Sequence, residues 1–156
     1  MVSKLRPHDM GGDLAGVIDT VDHGMAYWEK HANGFRMLLS SKGITRTDEM
    51  RRVAEDMGDR YYQLTYFERH SESAKVILIE RGLLDETKIE QKISQIRKKF
   101  DVPALTSDTS HHHEEGALQE EDNNPSPNDT HLTNLAMQEL LEEQGLITTE
   151  EVRRKI

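Results

Sequence analysis

The sequence predicts an all-α chain, and three observations carry that expectation. Apolar residues recur at spacings of three and four, glycines stand where those stripes end, and capping residues stand where the next ones begin. The expected plan is an extended N-terminal arm over residues 1–24 and a small helical domain over 25–103. A polar linker over 104–131 and a helical hairpin over 132–156 follow.

Residues 1–24 carry Pro7, Gly11, Gly12, Gly16 and Gly24, and HDMGGDLAG reads as an extended arm. From Met25 the pattern changes. Trp28, Ala32, Phe35 and Leu39 mark one face of a helix that ends near Ser41. Gly43 closes it, and Thr45 or Thr47 is the expected start of a second helix, roughly Asp48 to Met57, closed in turn by Gly58. Met50, Val53, Ala54 and Met57 form its apolar stripe. A third helix is expected from Leu64 to Arg81, with Phe67, Ala74, Ile77 and Leu78 on one face and Gly82 beyond its end. Asp85 is a good N-cap for a fourth, whose stripe runs Ile89, Ile93, Ile96, Phe100 until Pro103 stops it.

The composition then shifts. TSDTSHHHEEGALQEEDNNPSPND is almost free of apolar residues and is expected to be a disordered linker. Leu135, Met137, Leu140 and Leu141 restore a helical pattern as far as Gly145, and Thr148 with Glu151 makes a capping box that opens a last short helix. One unit recurs. RGLLDETKI and QGLITTEEV each place a glycine, two aliphatics, an N-cap and an aliphatic seven residues after the glycine, with Gly43 to Met50 a looser copy. The unit reads as a generic recipe for a corner between two helices.

The bulk numbers narrow the function classes. The chain has 156 residues, of which 35% are hydrophobic and 31% charged, and its mean hydropathy is -0.76. That is too polar for a uniformly packed globule, so part of the chain is expected to stay unpacked or to bury itself on a partner. A net charge of -9 argues against binding nucleic acid. The absence of cysteine excludes disulfides, thiolate nucleophiles and Cys-ligated metals within the chain. MVSKLRPHDMGG has no apolar core of signal-peptide length and no run is long enough to span a bilayer, so a cytoplasmic location away from membranes is expected.

Few constellations invite chemistry. HHHEE, residues 111 to 115, offers metal-competent side chains, but neighbours in a flexible segment cannot pre-form a coordination sphere, and the segment reads as solvated linker. His8 and Asp9 before Gly11 and Gly12 are a common neighbour pair, and GGDLAG is no phosphate loop because no Lys-Ser/Thr follows. Tyr61, Tyr62, Tyr66 and Phe67 form a dense aromatic patch suited to a core, an interface or a substrate wall. Asp48 with Arg52 and Arg51 with Glu55 have i,i+4 spacing, so spacing alone places both arginines on the surface.

Taken in order, PHDMGG, then YWEKHANGFRMLLSSKGITRTDEMRRVAEDMG, then YF before AKVILIERGLLDE, the chain resembles the N-terminal half of the nitrile hydratase beta subunit over about residues 7 to 95. It also resembles the matching small subunit of thiocyanate hydrolase. The resemblance implies a beta-type subunit that holds no metal itself. In that family cobalt or iron sits in a cysteine claw on an alpha-type subunit, and beta-subunit arginines hydrogen-bond the oxidised cysteine oxygens. Arg51 falls on the first of those arginine positions, and the missing cysteines are then expected. Tyr66 and Phe67 match a Tyr-Tyr pair that borders the substrate pocket, and His70 stands where the family has a tryptophan. The family's small-barrel C-terminal half is implied on a separate chain, as in split, three-chain members. Residues 132 to 156 resemble the helical hairpin that begins an alpha subunit. The implied activity is hydration of nitriles to amides. Thiocyanate hydrolysis, or a non-catalytic activator of the alpha subunit, are the alternatives.

Overall fold

A computed structural model describes residues 21, 24–100 and 127–156. Among them there are seven helices and no strand: α1 Tyr27–Ser41, α2 Thr47–Asp56, α3 Arg60–Gln63, α4 Tyr66–Glu80, α5 Glu86–Lys99, α6 Asp129–Glu143 and α7 Thr149–Arg153. None of the described helices is long and apolar enough to cross a membrane. Almost all of the arm, the HHHEE segment, the His8–Asp9 pair, Pro103 and the linker up to residue 126 lie outside the described residues.

Local chemistry sets the helix ends. Thr65 Oγ1 accepts from the Glu68 N–H at 3.4 Å while Glu68 Oε2 accepts from the Thr65 N–H at 2.7 Å, a reciprocal box that opens α4. Asp85 Oδ1 accepts from the Lys88 N–H at 3.1 Å, and Thr148 and Glu151 cap α7 as their spacing predicts. Asn128 Oδ1 accepts from the His131 N–H at 2.8 Å, so α6 begins at Asp129, inside the segment expected to be linker. Thr47 begins α2, as one of the two expected starts, but neither threonine caps it: Arg46 holds the cap position, and Thr45 is turned inward at 3% exposure. The short α3 has no apolar stripe of its own, which is why periodicity misses it.

The apolar stripes converge on one core. Phe35, Leu39, Leu78, Ile89, Ile96, Met137 and Leu141 are each at most 2% exposed and belong to a single cluster fed by α1, α4, α5, α6 and α7. The C-terminal hairpin therefore completes the same core as the helices before the linker. Phe100, the last residue of the α5 stripe by spacing, is 47% exposed because it caps the helix end, beyond its packed turns.

The recurring corner has a tertiary meaning. Gly43, Gly82 and Gly145 all take positive φ, between 66° and 70°, where a side chain is penalised. Four residues before each glycine stands a leucine at 0% exposure: Leu39, Leu78 and Leu141. Its carbonyl accepts from the N–H just after the glycine, at 2.9 to 3.0 Å in all three corners. The residue just before each glycine then reaches to another corner. Lys42 donates to the Leu146 carbonyl and to Glu151, each at 2.8 Å. Gln144 donates to the Leu83 carbonyl at 2.8 Å. Arg81 donates to the Gly43 carbonyl at 3.4 Å and to both oxygens of Glu49 at 2.8 Å. The first corner thus holds the third, the third holds the second, and the second holds the first. These links are partly exposed, so they fix register more than they add stability.

Polar groups are buried where α1 meets α6. His31 Nε2–H donates to Gln138 Oε1 at 2.7 Å, and Gln138 in turn donates to Glu142 at 2.8 Å. The His31 and His131 rings lie 5.2 Å apart. Burial, then the neighbouring His31, pushes His131 down to about 4. His31 is also lowered, chiefly by burial, against the opposing Gln138 bond and the Glu142 charge. Unfolded histidines titrate at about 6.5. Between that value and about 4 the unfolded chain binds more protons than the folded one, so stability falls as pH drops through this window. Urea unfolding at neutral pH and in mid-window is expected to show this loss. His131→Phe, which removes an Nε2 that has no partner among the described residues, is expected to flatten it. An unchanged pH slope in that variant would refute the assignment.

Candidate functional site

Three helix faces enclose one cavity of about 250 Å³. From α1 come Arg36 and Ser40, four residues apart. From α2 come Thr47, Met50, Arg51 and Ala54, at spacings of three, one and three, which is one side of a helix. The same spacing in α4 supplies Tyr66, Arg69, His70 and Ser73. Thr45, Arg46 and Tyr61 complete the lining. Burial orders these residues: Ser73 and Thr45, at 1% and 3% exposure, form the inner wall, while Arg46, Arg51 and Tyr66 are exposed at the rim.

The electrostatics are one-sided. Four of the lining residues are arginines and none is Asp or Glu, although the whole chain carries -9. Arg36 Nη2 donates to Asn33 Oδ1 at 3.1 Å, while its Nε is buried without a partner among the described residues. Arg69 Nε donates to the Thr65 carbonyl at 3.3 Å, and its guanidinium lies 4.2 Å from the Tyr61 ring centre. Ser73 Oγ is likewise buried and unpartnered among the described residues. His70 Nδ1 lies 2.8 Å from the Tyr66 carbonyl oxygen, which can only accept, so Nδ1 carries the hydrogen and Nε2 keeps its lone pair. Burial holds the His70 imidazole below its usual range. The Tyr66 hydrogen bond opposes that shift, and the charges of Arg36 and Arg69 add to it.

Arg51, Tyr66 and His70 thus line one cavity. Phe67 is absent from the lining. It is one residue from Tyr66, about 100° around the helix, and packs edge-on against Trp28 with ring centres 6.3 Å apart. Tyr66 and His70 lie one above the other, 4.2 Å between ring centres. The i,i+4 pairs expected for the adjacent arginines do not form. Arg52 pairs with Asp56 at 3.6 Å and with Glu80 on α4, whereas Arg51 has no ion pair or hydrogen bond among the described residues. The acceptors of Arg52 are thus the carboxylate one turn further along α2 and one on the neighbouring helix. Arg36, Arg69 and Ser73 are additions that sequence reasoning passed over. The signal was present: positions 66, 69, 70 and 73 form a polar stripe beside the apolar one on the same helix.

Guanidinium N–H groups cannot ligate a metal, but they do hydrogen-bond anionic groups around one. Among the described residues no three His, Asp or Glu side chains converge to hold an ion. The family model described as nitrile hydratase beta subunit, N-terminal, matches residues 5–124, well over half of the chain. No curated protein and no solved structure matches. The match spans α1 to α5 and stops before α6.

Proposed function

Because this chain belongs to the nitrile hydratase beta-subunit family, we propose that it is the beta-type subunit of a multi-subunit, cytoplasmic nitrile hydratase. It completes the active site at the interface with a metal-bearing alpha-type subunit. The observation that carries this reading is Arg51: exposed at the rim of an arginine-lined cavity and without an ion pair or hydrogen bond among the described residues. A guanidinium left in that state is free to donate two parallel hydrogen bonds to paired anionic oxygens, and it stays charged when an interface covers it. In this reading those oxygens belong to the partner's oxidised cysteines. The cobalt or iron they surround supplies Lewis acidity for hydration of a nitrile to an amide.

This chain's own contribution is positioning. Arg51 holds the partner's anionic ligand oxygens, and the exposed Tyr66 ring and neutral His70 Nε2 border the space beside them. Phe67 fixes that helix face by packing on Trp28. In this reading a small-barrel partner completes the assembly. One observation favours a second reading: thiocyanate is an anion, and a cavity lined by arginines attracts it more than a neutral nitrile. Co-expression with a cysteine-claw subunit and a small-barrel chain tests both. A complex that forms amide from nitrile, or consumes thiocyanate, only when this chain is present is the expected result. A complex equally active without it would overturn the proposal, and stable binding without any effect on turnover would favour an assembly partner.

A further inference from the structure

The subunit reading uses Arg51, Tyr66 and His70 and leaves the inner part of the cavity unexplained. Ser73 Oγ and Arg36 Nε are buried there with no partner among the described residues. Such groups normally find one, because leaving them unsatisfied is costly. Arg69 stands on the same wall, where among the described residues it hydrogen-bonds a backbone carbonyl and lies over an aromatic face. Among the described residues no carboxylate lines the cavity to balance these charges. Like charges held together in this way repel, and a single acceptor-rich anion both relieves the repulsion and supplies the missing hydrogen bonds. A volume of about 250 Å³ is several times that of a water molecule, enough for a small oxyanion.

We propose that the cavity between α1, α2 and α4 is an oxyanion receptor, in which Arg36, Arg69 and Ser73 bind a carboxylate or sulfate-type group. The donors present, two guanidinium forks and a hydroxyl, match oxygens arranged around one centre, and the two fixed positive charges disfavour a cation. Two sources share this chemistry: a free small anion, and a carboxylate side chain of a docked partner.

The test uses the full chain, with sodium sulfate and sodium acetate as probes against sodium chloride at matched ionic strength. Amide chemical shifts follow binding and at the same time report whether each variant is folded. Saturable shifts confined to α1, α2 and α4 are expected, with affinity about tenfold weaker or worse in Arg36→Gln and in Arg69→Gln, each the loss of a charge-assisted bond. Ser73→Ala should weaken binding less. Arg154→Gln, an exposed arginine paired with Glu150, should leave it unchanged. Should Arg36→Gln fail to fold, Arg69→Gln carries the comparison. No saturable response to either probe, or equal responses in wild type and Arg69→Gln, would overturn the proposal. Repeating the titration on the assembled complex identifies the source: a response that persists indicates a free anion, and one that vanishes indicates a group from the partner. Because the first titration needs no partner, it can fail while the subunit reading stands, and the reverse.

Discussion

Arg51→Lys is expected to cut the turnover of the assembled enzyme by about ten- to over a hundredfold, while Arg52→Lys leaves it nearly unchanged. The two residues are adjacent and both exposed, so composition and position alone would treat them alike. Their surroundings differ. Arg52 is held by Asp56 on α2 and Glu80 on α4, an exposed arrangement that lysine largely reproduces. Arg51 faces the cavity with no partner among the described residues. Lysine there keeps the charge but loses the planar fork, and with it one of two parallel hydrogen bonds to the partner's oxygens. A charge-assisted hydrogen bond contributes about 1.5–3 kcal/mol, and a loss of that size falling wholly on the transition state gives the stated range. Metal content and subunit ratio are checked first, and unfolding of the free variants should be unchanged. Equal turnover for both variants and wild type would return Arg51 to the role of a surface residue.

Leu141→Ala is expected to destabilise the chain by about 2–5 kcal/mol, against a change within about 0.5 kcal/mol for Phe100→Ala. Phe100 is the larger and the more hydrophobic-looking loss, but it is 47% exposed, so its removal opens no cavity. Leu141 is 0% exposed and stands in the third corner where Leu39 and Leu78 stand in the first two. Its loss leaves a void shared by α6 and the helices it packs on, and flanking atoms held by three linked corners cannot collapse into it. Small domains have only about 5–15 kcal/mol in total, so the effect should be plain in the urea midpoint. If Leu141→Ala costs no more than Phe100→Ala, α6 and α7 lie outside the cooperative unit.

The helices themselves were written locally. Stripes at spacings of three and four, the Thr65 and Thr148 boxes, the Asp85 cap and the corner glycines each act within a few residues, so each is legible from neighbours in the chain. The resemblance carried by residues 7 to 95 extended that reading to a family, and the family match over residues 5–124 agrees with it. What spacing could not say is which side of a helix meets which other helix. Arg51 and Arg52 look equivalent in sequence, and only the packing of α2 on α4 gives one to Glu80 and the other to the cavity. Phe67 and Tyr66 part for the same reason. The repeated corner looked generic because its hydrogen bonds close within a few residues. Its threefold interlocking rests on Lys42, Arg81 and Gln144 reaching partners 104, 38 and 61 positions away. The Arg36–Arg69–Ser73 wall likewise draws on two helices whose contributions are separated by more than thirty positions in the chain (69 less 36). Local sequence determines local dihedrals and caps, because those energies act over a few bonds. Convergence of side chains on one cavity is a property of packed helix faces, so the tertiary structure alone decided it.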